Sequence, residues 1–245
     1  MSLRSLVNED KKWWGPAEQI VQWLCDRLPA KAKVLEIGPG YVPFPRADTF
    51  VDYKDLPGLP AGKVKVSVDL ASEPLPFPDK TFDFVYCRHV LEDMYNPFLL
   101  IREMERVGSA GYIEMPSPIA ELCRGIDGSS PPFRGYHHHR FIGWVHEGEF
   151  RLISKYPFVE YINWNEEDIV ASLRAGPRFW NTYFLWQEKI NFVHRQNGPD
   201  YLLTRDYAMI LKGAMDSSKI SSGTFWQNLP GRGEIDQSAL PKFAA

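Results

Sequence analysis

The chain has 245 residues, with 28 basic and 31 acidic side chains and a formal net charge of -3. Hydrophobic residues make up 44% and charged residues 24%, close to the averages of globular proteins, which excludes extended disorder. The near-neutral balance gives no global attraction to nucleic acid or to an anionic membrane surface, so neither is an expected partner. No window approaches the roughly 18 uninterrupted apolar residues that a membrane span needs.

Cysteine content and the N-terminal sequence indicate a compartment. The three cysteines, Cys25, Cys87 and Cys123, form no CxxC pair, so a disulfide framework is not expected and a reducing environment is favoured. The first residues, MSLRSLVNEDKKWWG, lack the apolar core of a secretory signal. We therefore expect a soluble, cytoplasmic protein.

Short apolar segments recur along the first half of the chain. An amphipathic helix is predicted over residues 16–28, where Ile20, Leu24 and Leu28 form one stripe. A second helical pattern runs from about 89 to 106. Apolar strands that alternate with helices or other crossovers indicate a parallel sheet covered on both faces. The predicted strands are 33–37, 49–52, 64–70, 82–87 and 111–115.

The alternation ends near Pro118, and the second half of the chain has a different pattern. Residues 141–145 and 150–154 flank the sequence HEGE and predict a β-hairpin. We therefore expect an α/β fold, a Rossmann-like doubly wound, mostly parallel sheet with a C-terminal β-hairpin and an aromatic-rich extension. The further predicted elements are a helix over 166–173, strand within 181–194, and a last helix or strand over 202–215.

The sequence VLEIGPG, residues 34–40, places an acid and two glycines at the end of the first strand. Glycine adopts backbone angles that a Cβ forbids and lets the backbone approach a ligand closely. In a doubly wound sheet, such a turn forms the floor of a nucleotide-type pocket. Asp52 ends the second strand, where a carboxylate can accept from both ribose hydroxyls. Asp69, which is followed by Leu70, suits an adenine amine and an apolar wall beside the ring.

Residues 75–94, LPFPDKTFDFVYCRHVLEDM, continue this arrangement, and RVGSAGYIEMPSP follows at residues 106–118. With the glycine turn, they make the run 34–118 resemble the class I S-adenosylmethionine-dependent methyltransferases, most closely their type 11 group. The resemblance covers about half of the chain. It implies S-adenosyl-L-methionine as the cofactor and methyl transfer to an acceptor as the reaction.

The resemblance also implies roles for individual residues. Gly38 and Gly40 would pack under the methionine part of the cofactor, and Glu36 would help to fix that loop. Arg88 and His89 would lie near the methyl-transfer face. The implied cofactor-binding residues are Glu36, Gly38, Pro39, Gly40, Asp52, Asp69, Leu70 and Arg88.

The first crossover is shorter than is usual in this family. Only YVPFPRADTFV separates the glycine turn from Asp52, and Pro43 and Pro45 would interrupt a long helix. We expect a short, irregular connection, with Asp48 and Asp55 as alternatives for the ribose. A dinucleotide site would instead need GxGxxG opening directly into a helix, which this sequence does not offer.

Other features narrow the acceptor. The fourth strand ends in YCRH, residues 86–89, and not in the Asn/Asp-Pro-Pro-aromatic turn that holds an exocyclic amine in related enzymes. No Pro-Cys pair is present for attack on a pyrimidine. We therefore expect a small molecule, a lipid or a sugar as acceptor, and leave the oligomeric state open. The alternatives are a non-catalytic methyltransferase-like binding or regulatory protein, or a nucleotide-binding enzyme of other chemistry.

The second motif is YHHHR, residues 136–140. Methyl transfer is an in-line displacement, so the enzyme positions the acceptor and can remove its proton, a role that suits histidine. In a strand, His137 and His139 would share one face opposite His138. We predict His89, His137 and His139 as catalytic candidates, with a plain strand edge as the alternative for the cluster. No metal site is expected, because one face of a strand supplies two ligands at most.

The predicted domain organisation follows from these assignments. Residues 1–118 would form the cofactor-binding core with its N-terminal helix. Residues 119–216 would pack on the same domain and cap the acceptor site, and 217–245 would be a polar tail.

Overall fold

The computed structural model describes residues 18–54, 59, 61–127, 133–146, 148–174, 179–195 and 203–219. Pro16, Asp55 and the tail beyond residue 219, all of which carried sequence predictions, lie outside these ranges. None of the helices in the described ranges combines the length and the apolar character that crossing a lipid bilayer requires. The elements, in chain order, are α1 (Glu18–Arg27), β1 (Val34–Ile37), β2 (Thr49–Asp52), β3 (Val64–Ser67), β4 (Phe84–Arg88), α2 (Pro97–Val107), β5 (Ala110–Pro116), α3 (Pro118–Leu122), β6 (Phe141–His146), β7 (Glu149–Ser154), a 3-10 helix (Pro157–Tyr161), α4 (Glu166–Arg174), β8 (Asn181–Gln187), β9 (Phe192–His194) and α5 (Leu203–Lys219).

The main sheet has six strands in the order β3-β2-β1-β4-β5-β8. Neighbouring strands are parallel except β8, which runs antiparallel to β5. This confirms the prediction of a Rossmann-like, mostly parallel α/β sheet. The chain moves outward from β1 to β3 and then returns to the other side of β1 with β4. Sheets of this kind bind ligands outside the carboxyl ends of the strands at such a reversal, here between β1 and β4.

Alternate residues of the central strands enter two different cores, because successive side chains of a strand point to opposite faces. Val34 and Phe84 pack with the apolar stripe of α1 on one face. Leu35 and Val85 pack with α2 on the other face. The near-continuous apolar strands thus reflect burial on both sides of the sheet.

The connection between β1 and β2 covers one face of the sheet without a helix at any of residues 38–48, all of which are described. Phe44 is buried, and its ring stacks on Tyr86 with the centroids 4.4 Å apart. The guanidinium of Arg46 donates to the carbonyl oxygens of Cys25 and Leu28, each at 3.0 Å, and so caps the C-terminal end of α1. This proline-rich loop therefore fills the space that a crossover helix occupies in most sheets of this type.

The second half of the chain builds a second core and returns to the main sheet. Strands β6 and β7 form an antiparallel pair, and β9 lies parallel to β7. Helices α3, α4 and α5 pack with this small sheet. Arg134 is buried among them and donates to the carbonyl oxygens of Leu122, at 2.6 Å, and Ile162, at 2.9 Å. Because β8 is the edge strand of the main sheet, the region after residue 118 packs directly on the core.

Two local predictions are wrong. The helix expected from about residue 89 begins only at Pro97, because His89 has a positive φ of 52° and the chain turns before a proline that favours the first helical position. Residues 136–140 form a turn, not a strand. The ammonium of Lys155 takes the carbonyl oxygens of Arg134 and Tyr136, which removes them as partners for a neighbouring strand.

Substitution of Gly111 tests how tightly β5 packs against β4 and β8. A Cβ there would lie 2.4 Å from the carbonyl oxygen of Val85 and 2.6 Å from the Trp186 ring. We expect Gly111→Ala to lower the free energy of unfolding by about 1–3 kcal/mol, the usual cost of overpacking. Chemical denaturation monitored by tryptophan fluorescence measures it.

Gly213 provides the matched control. It lies in α5 and is exposed, and no heavy atom lies within 4 Å of its Cβ position. Gly213→Ala should raise the free energy of unfolding by up to about 1 kcal/mol, because alanine favours helix. Equal effects of the two substitutions would contradict the packing described for β5.

Candidate functional site

The turn after β1 lies at the reversal point of the sheet. Gly38 and Gly40 have positive φ values of 64° and 54°, which L-residues with a side chain rarely adopt. A Cβ on Gly38 would lie 2.4 Å from Cγ2 of Val90, so this glycine lets the turn approach the segment after β4. Beside Gly40, no atom lies within 4 Å of the Cβ position. The turn therefore borders open space at the carboxyl edge of the sheet.

Glu36 fixes the far end of this loop. Its carboxylate is buried, and Oε2 accepts from the backbone N–H of Phe44 at 2.7 Å. Burial raises the pKa of Glu36 to about 7, against the opposing effects of the Phe44 N–H and the Arg88 charge. The acid predicted to help fix the glycine loop thus spans it with a hydrogen bond.

The two aspartates predicted to contact the nucleoside differ in their surroundings. Asp52 ends β2, is half-buried and accepts from the backbone N–H of Lys54 at 3.2 Å. Asp69 is exposed; the Ser72 hydroxyl and the Ala71 N–H donate to its carboxylate and lower its pKa. Leu70 is buried in the core on the α2 side of the sheet. Asp52 thus lies at the carboxyl edge of the sheet, beside the glycine turn. The carboxylate of Asp69 instead accepts hydrogen bonds within the turn that follows it.

Asp48, the alternative for the ribose, lies at the opposite edge of the sheet. It accepts from the backbone N–H of Val34 at the start of β1, at 3.2 Å, and its carboxylate pairs with Lys63 at 3.2 Å. These contacts tie it to the amino-terminal ends of the strands. Asp52 is therefore the better placed of the two.

His89 follows β4 and is held between buried carboxylates. Its backbone N–H donates to the carbonyl oxygen of Glu114 at 2.8 Å. Its Nδ1 lies 3.0 Å from Oε1 of Glu92, and its Nε2 lies 3.8 Å from Oε1 of Glu114. Nε2 has no hydrogen-bond partner among the described residues. A left-handed backbone at a non-glycine residue is uncommon and concentrates at functional sites. The Nε2 atom is itself buried, and the contact of Nδ1 with Glu92 fixes the orientation of the ring.

Glu114 and Glu92 are members of this site that sequence reasoning did not identify. Glu114 is buried in β5 and accepts from the hydroxyl of Tyr112 at 2.6 Å and from the amide of Asn181 at 3.0 Å. Burial raises the pKa of Glu114, while the charges of His89 and Arg88 act in the opposite direction. The signal available in the sequence was a lone acid inside the apolar strand GYIEM.

The YHHHR segment lies beside this site, but its predicted members have separate partners. His139 is buried, with Nδ1 2.5 Å from Oε1 of Glu121. Although burial favours the neutral acid, the charges of Lys155 and His139 hold the pKa of Glu121 at about 2. His137 is exposed and pairs with Asp127 at 2.9 Å. The structure therefore does not bring His137 and His139 to one shared position.

A cavity of about 300 Å³ lies where β5 ends and β8 begins. Asn181 lines it and also donates to Glu114, which connects the cavity to the surroundings of His89. The lining is mostly apolar, with three basic side chains. The apolar and aromatic members include Ile119, Trp144, Phe179, Met209 and Ile210, and the basic members are His146, Arg151 and Arg195.

Several solved structures are similar to parts of this chain, and three of them are described as methyltransferases. A putative methyltransferase from Bacillus halodurans is 20% identical, with 42% of this chain and 52% of that chain covered and a TM-score of 0.34. A possible histamine N-methyltransferase from Thermotoga maritima is 19% identical, over 46% and 59%, with a TM-score of 0.35. A SAM-dependent methyltransferase from Archaeoglobus fulgidus is 21% identical, over 54% and 68%, with a TM-score of 0.38.

The chain spans little more than half the length of the first two of these structures. The low scores give these similarities no weight for function. No curated protein matches the chain.

A protein-family profile gives the stronger result. Residues 51–112 match the family described as a methyltransferase domain. The match begins at the end of β2 and extends into β5, so it includes Asp52, Asp69 and the segment after β4. Such a domain implies S-adenosylmethionine-dependent chemistry, in agreement with the resemblance found in the sequence. Residues 51–112 of this chain are therefore similar to a methyltransferase domain.

Proposed function

We propose that the protein is an S-adenosylmethionine-dependent methyltransferase that acts on a small-molecule acceptor. The left-handed glycine turn carries this proposal, since Gly40 borders open space at the carboxyl ends of the paired strands β1 and β4, where the strand order reverses. The pocket residues fit the cofactor: Gly38, Pro39 and Gly40 offer a backbone surface without a Cβ on either glycine. Asp52, at the same edge, offers a carboxylate for the ribose hydroxyls.

Four further residues are proposed to contact the cofactor or to hold the loop beside it. A carboxylate has about four lone-pair sites, so Asp69 can accept from an adenine amine while it also accepts from Ser72 and Ala71. Leu70, buried next to it, would supply the apolar support of that contact. Glu36 would keep the loop in place, and Arg88, at the end of β4, would lie near the methionine part.

His89 is the proposed proton acceptor. The cofactor supplies an electrophilic methyl group on a sulfonium, and the protein must orient the nucleophile and take its proton. Nε2 of His89 is unpartnered among the described residues, while Glu92 holds Nδ1 at 3.0 Å. This pairing orients the ring and stabilises the imidazolium that forms. The roles predicted for His137 and His139 in proton transfer stay predictions.

The cavity at the ends of β5 and β8 is the proposed site for the part of the acceptor remote from the reacting atom, since neither His89 nor the glycine turn lines it. Its volume of about 300 Å³ falls at the lower end of the range for small-molecule pockets. The mostly apolar lining favours a lipid-like or aromatic acceptor over a sugar, and the two guanidiniums that line the cavity, Arg151 and Arg195, already pair with Glu149 and Asp206. Asn181 would stand between this acceptor and Glu114.

Calorimetric titration with S-adenosylhomocysteine tests the cofactor part of the proposal. We expect the wild-type protein to bind it, and Gly40→Ala to weaken binding by about tenfold or more, because a Cβ enters the space beside the turn. Failure of the wild-type protein to bind at millimolar ligand would overturn the proposal.

Gly62→Ala is the matched control for backbone strain. Gly62 also has a positive φ, of 80°, and open space at its Cβ position, but it precedes β3 at the other edge of the sheet. Its substitution should leave the affinity for S-adenosylhomocysteine unchanged. An equal loss in both variants would mean that strain, and not contact, explains the result for Gly40.

Asp52 and Asp48 form a second matched pair, one at each end of β2. Asp52→Ala should weaken S-adenosylhomocysteine binding by about 1–3 kcal/mol, the cost of an unpaired polar group. Asp48→Ala should lower stability slightly but leave affinity unchanged. The reverse order of effects in calorimetry would move the ribose contact to Asp48.

Methyl transfer itself is measured with label in the methyl group of S-adenosylmethionine. A panel of phenols, fatty acids, amines and sugars is compared with tRNA and plasmid DNA, and label should enter a small molecule. His89→Asn should reduce transfer by about a hundredfold, within the range for loss of a general base, without changing S-adenosylhomocysteine affinity. Cofactor binding without transfer to any acceptor would favour the non-catalytic alternative.

A further inference from the structure

Three side chains near the candidate site converge without bonding to one another. Nε2 of His138 and Nε2 of His139 each lie 3.6 Å from Oδ1 of Asp93. The three ligand atoms lie within 4.8 Å of one another. A separation of 3.6 Å is too long for a hydrogen bond. It is close to the roughly 3.3 Å between ligand atoms bound at about 2.0–2.1 Å to one tetrahedral ion.

The orientation of His139 provides independent support. Its Nδ1 lies 2.5 Å from Oε1 of Glu121, which leaves Nε2 as the nitrogen that faces Asp93. Glu121 is fully buried and is itself held by the Lys155 ammonium at 2.6 Å. A buried carboxylate on the second nitrogen of a histidine is the arrangement that orients metal-binding imidazoles in proteins.

The two chain segments that supply these groups are held together by Arg140. Its backbone N–H donates to the carbonyl oxygen of Glu92 at 2.6 Å. Its guanidinium donates to the carbonyl oxygens of Asp93, at 2.8 Å, and His138, at 3.0 Å. The positions of the three ligands are therefore determined by the fold before any ion arrives.

We propose that Asp93, His138 and His139 bind one divalent transition-metal ion, with zinc as the best match for imidazole and carboxylate ligands. Three protein ligands leave at least one coordination position open for water or another ligand. Asp93 and His138 are exposed, so an ion can reach the site from solvent. The proposal does not depend on methyl transfer.

A second grouping, Asp127, His137 and His138, shares one residue with this site. In it, Nδ1 of His137 and Oδ2 of Asp127 already form a contact of 2.9 Å, and both His137 and His138 are exposed. That grouping lacks a ligand oriented by a buried acid such as Glu121. We therefore place the ion at Asp93, and the test below distinguishes the two positions.

The test is zinc binding by the full-length protein after removal of metal with a chelator. Calorimetry with zinc chloride should give one site per chain, and cobalt should produce the visible absorption bands of a protein-bound ion. Asp93→Ala and His138→Ala should each weaken zinc binding by about tenfold to a hundredfold or more, since both remove a direct ligand. Both residues are exposed, so the variants are expected to fold.

Asp127→Ala is the matched control, because Asp127 also pairs with a neighbouring histidine. It should leave zinc affinity and the zinc-dependent rise in melting temperature unchanged. The proposal is overturned if the wild-type protein binds no zinc at millimolar concentration, or if Asp93→Ala binds as tightly as wild type. Loss of binding in Asp127→Ala but not in Asp93→Ala would place the ion at the other grouping.

Discussion

The antiparallel pairing of β5 with β8 is the constraint on which the rest of the structure depends. It runs from Ala110 opposite Gln187 to Pro116 opposite Asn181, and it fastens the second half of the chain to the main sheet. Gly111 makes this pairing possible, because Trp186 packs where a side chain would otherwise stand. The same register brings the Asn181 amide to Glu114, and the Thr182 hydroxyl of β8 donates to the carbonyl oxygen of Gly143 in β6. The cavity and the surroundings of His89 are thus consequences of one strand pairing.

Local sequence patterns predict much of the fold. Apolar runs buried on both faces identify β1, β2, β4 and β5, and the prolines after Gly40 explain why no helix forms between the glycine turn and β2. The glycine turn could be located because backbone positions with positive φ favour glycine, and glycine is visible in the sequence. Asp52 could be located because it ends a recognisable strand. These features depend on neighbours in sequence, and such neighbours are known before the fold is.

The remaining parts of the site depend on contacts between distant segments. Glu114 lies within an apolar strand, and its partner Asn181 comes from β8, so no local pattern links them. For the YHHHR segment, the sequence analysis considered a strand, in which His137 and His139 would share one face. Its conformation in the structure is held by Lys155, whose ammonium donates to the carbonyl oxygen of Tyr136 in the segment and to that of Arg134 just before it. Likewise, Asp93 joins His138 and His139 only through the folded chain.

The ordered connection between β1 and β2 has a thermodynamic consequence. Pro43 and Pro45 restrict the backbone, the Phe44 ring is anchored in the core, and Glu36 holds its N–H. Ordering one residue costs about 1–2 kcal/mol of conformational entropy. The loop loses this conformational entropy when the protein folds, so a molecule that binds beside Gly40 contacts a surface that is already ordered. Its association there should therefore not include the cost of ordering this loop, which leaves more of the contact energy for affinity.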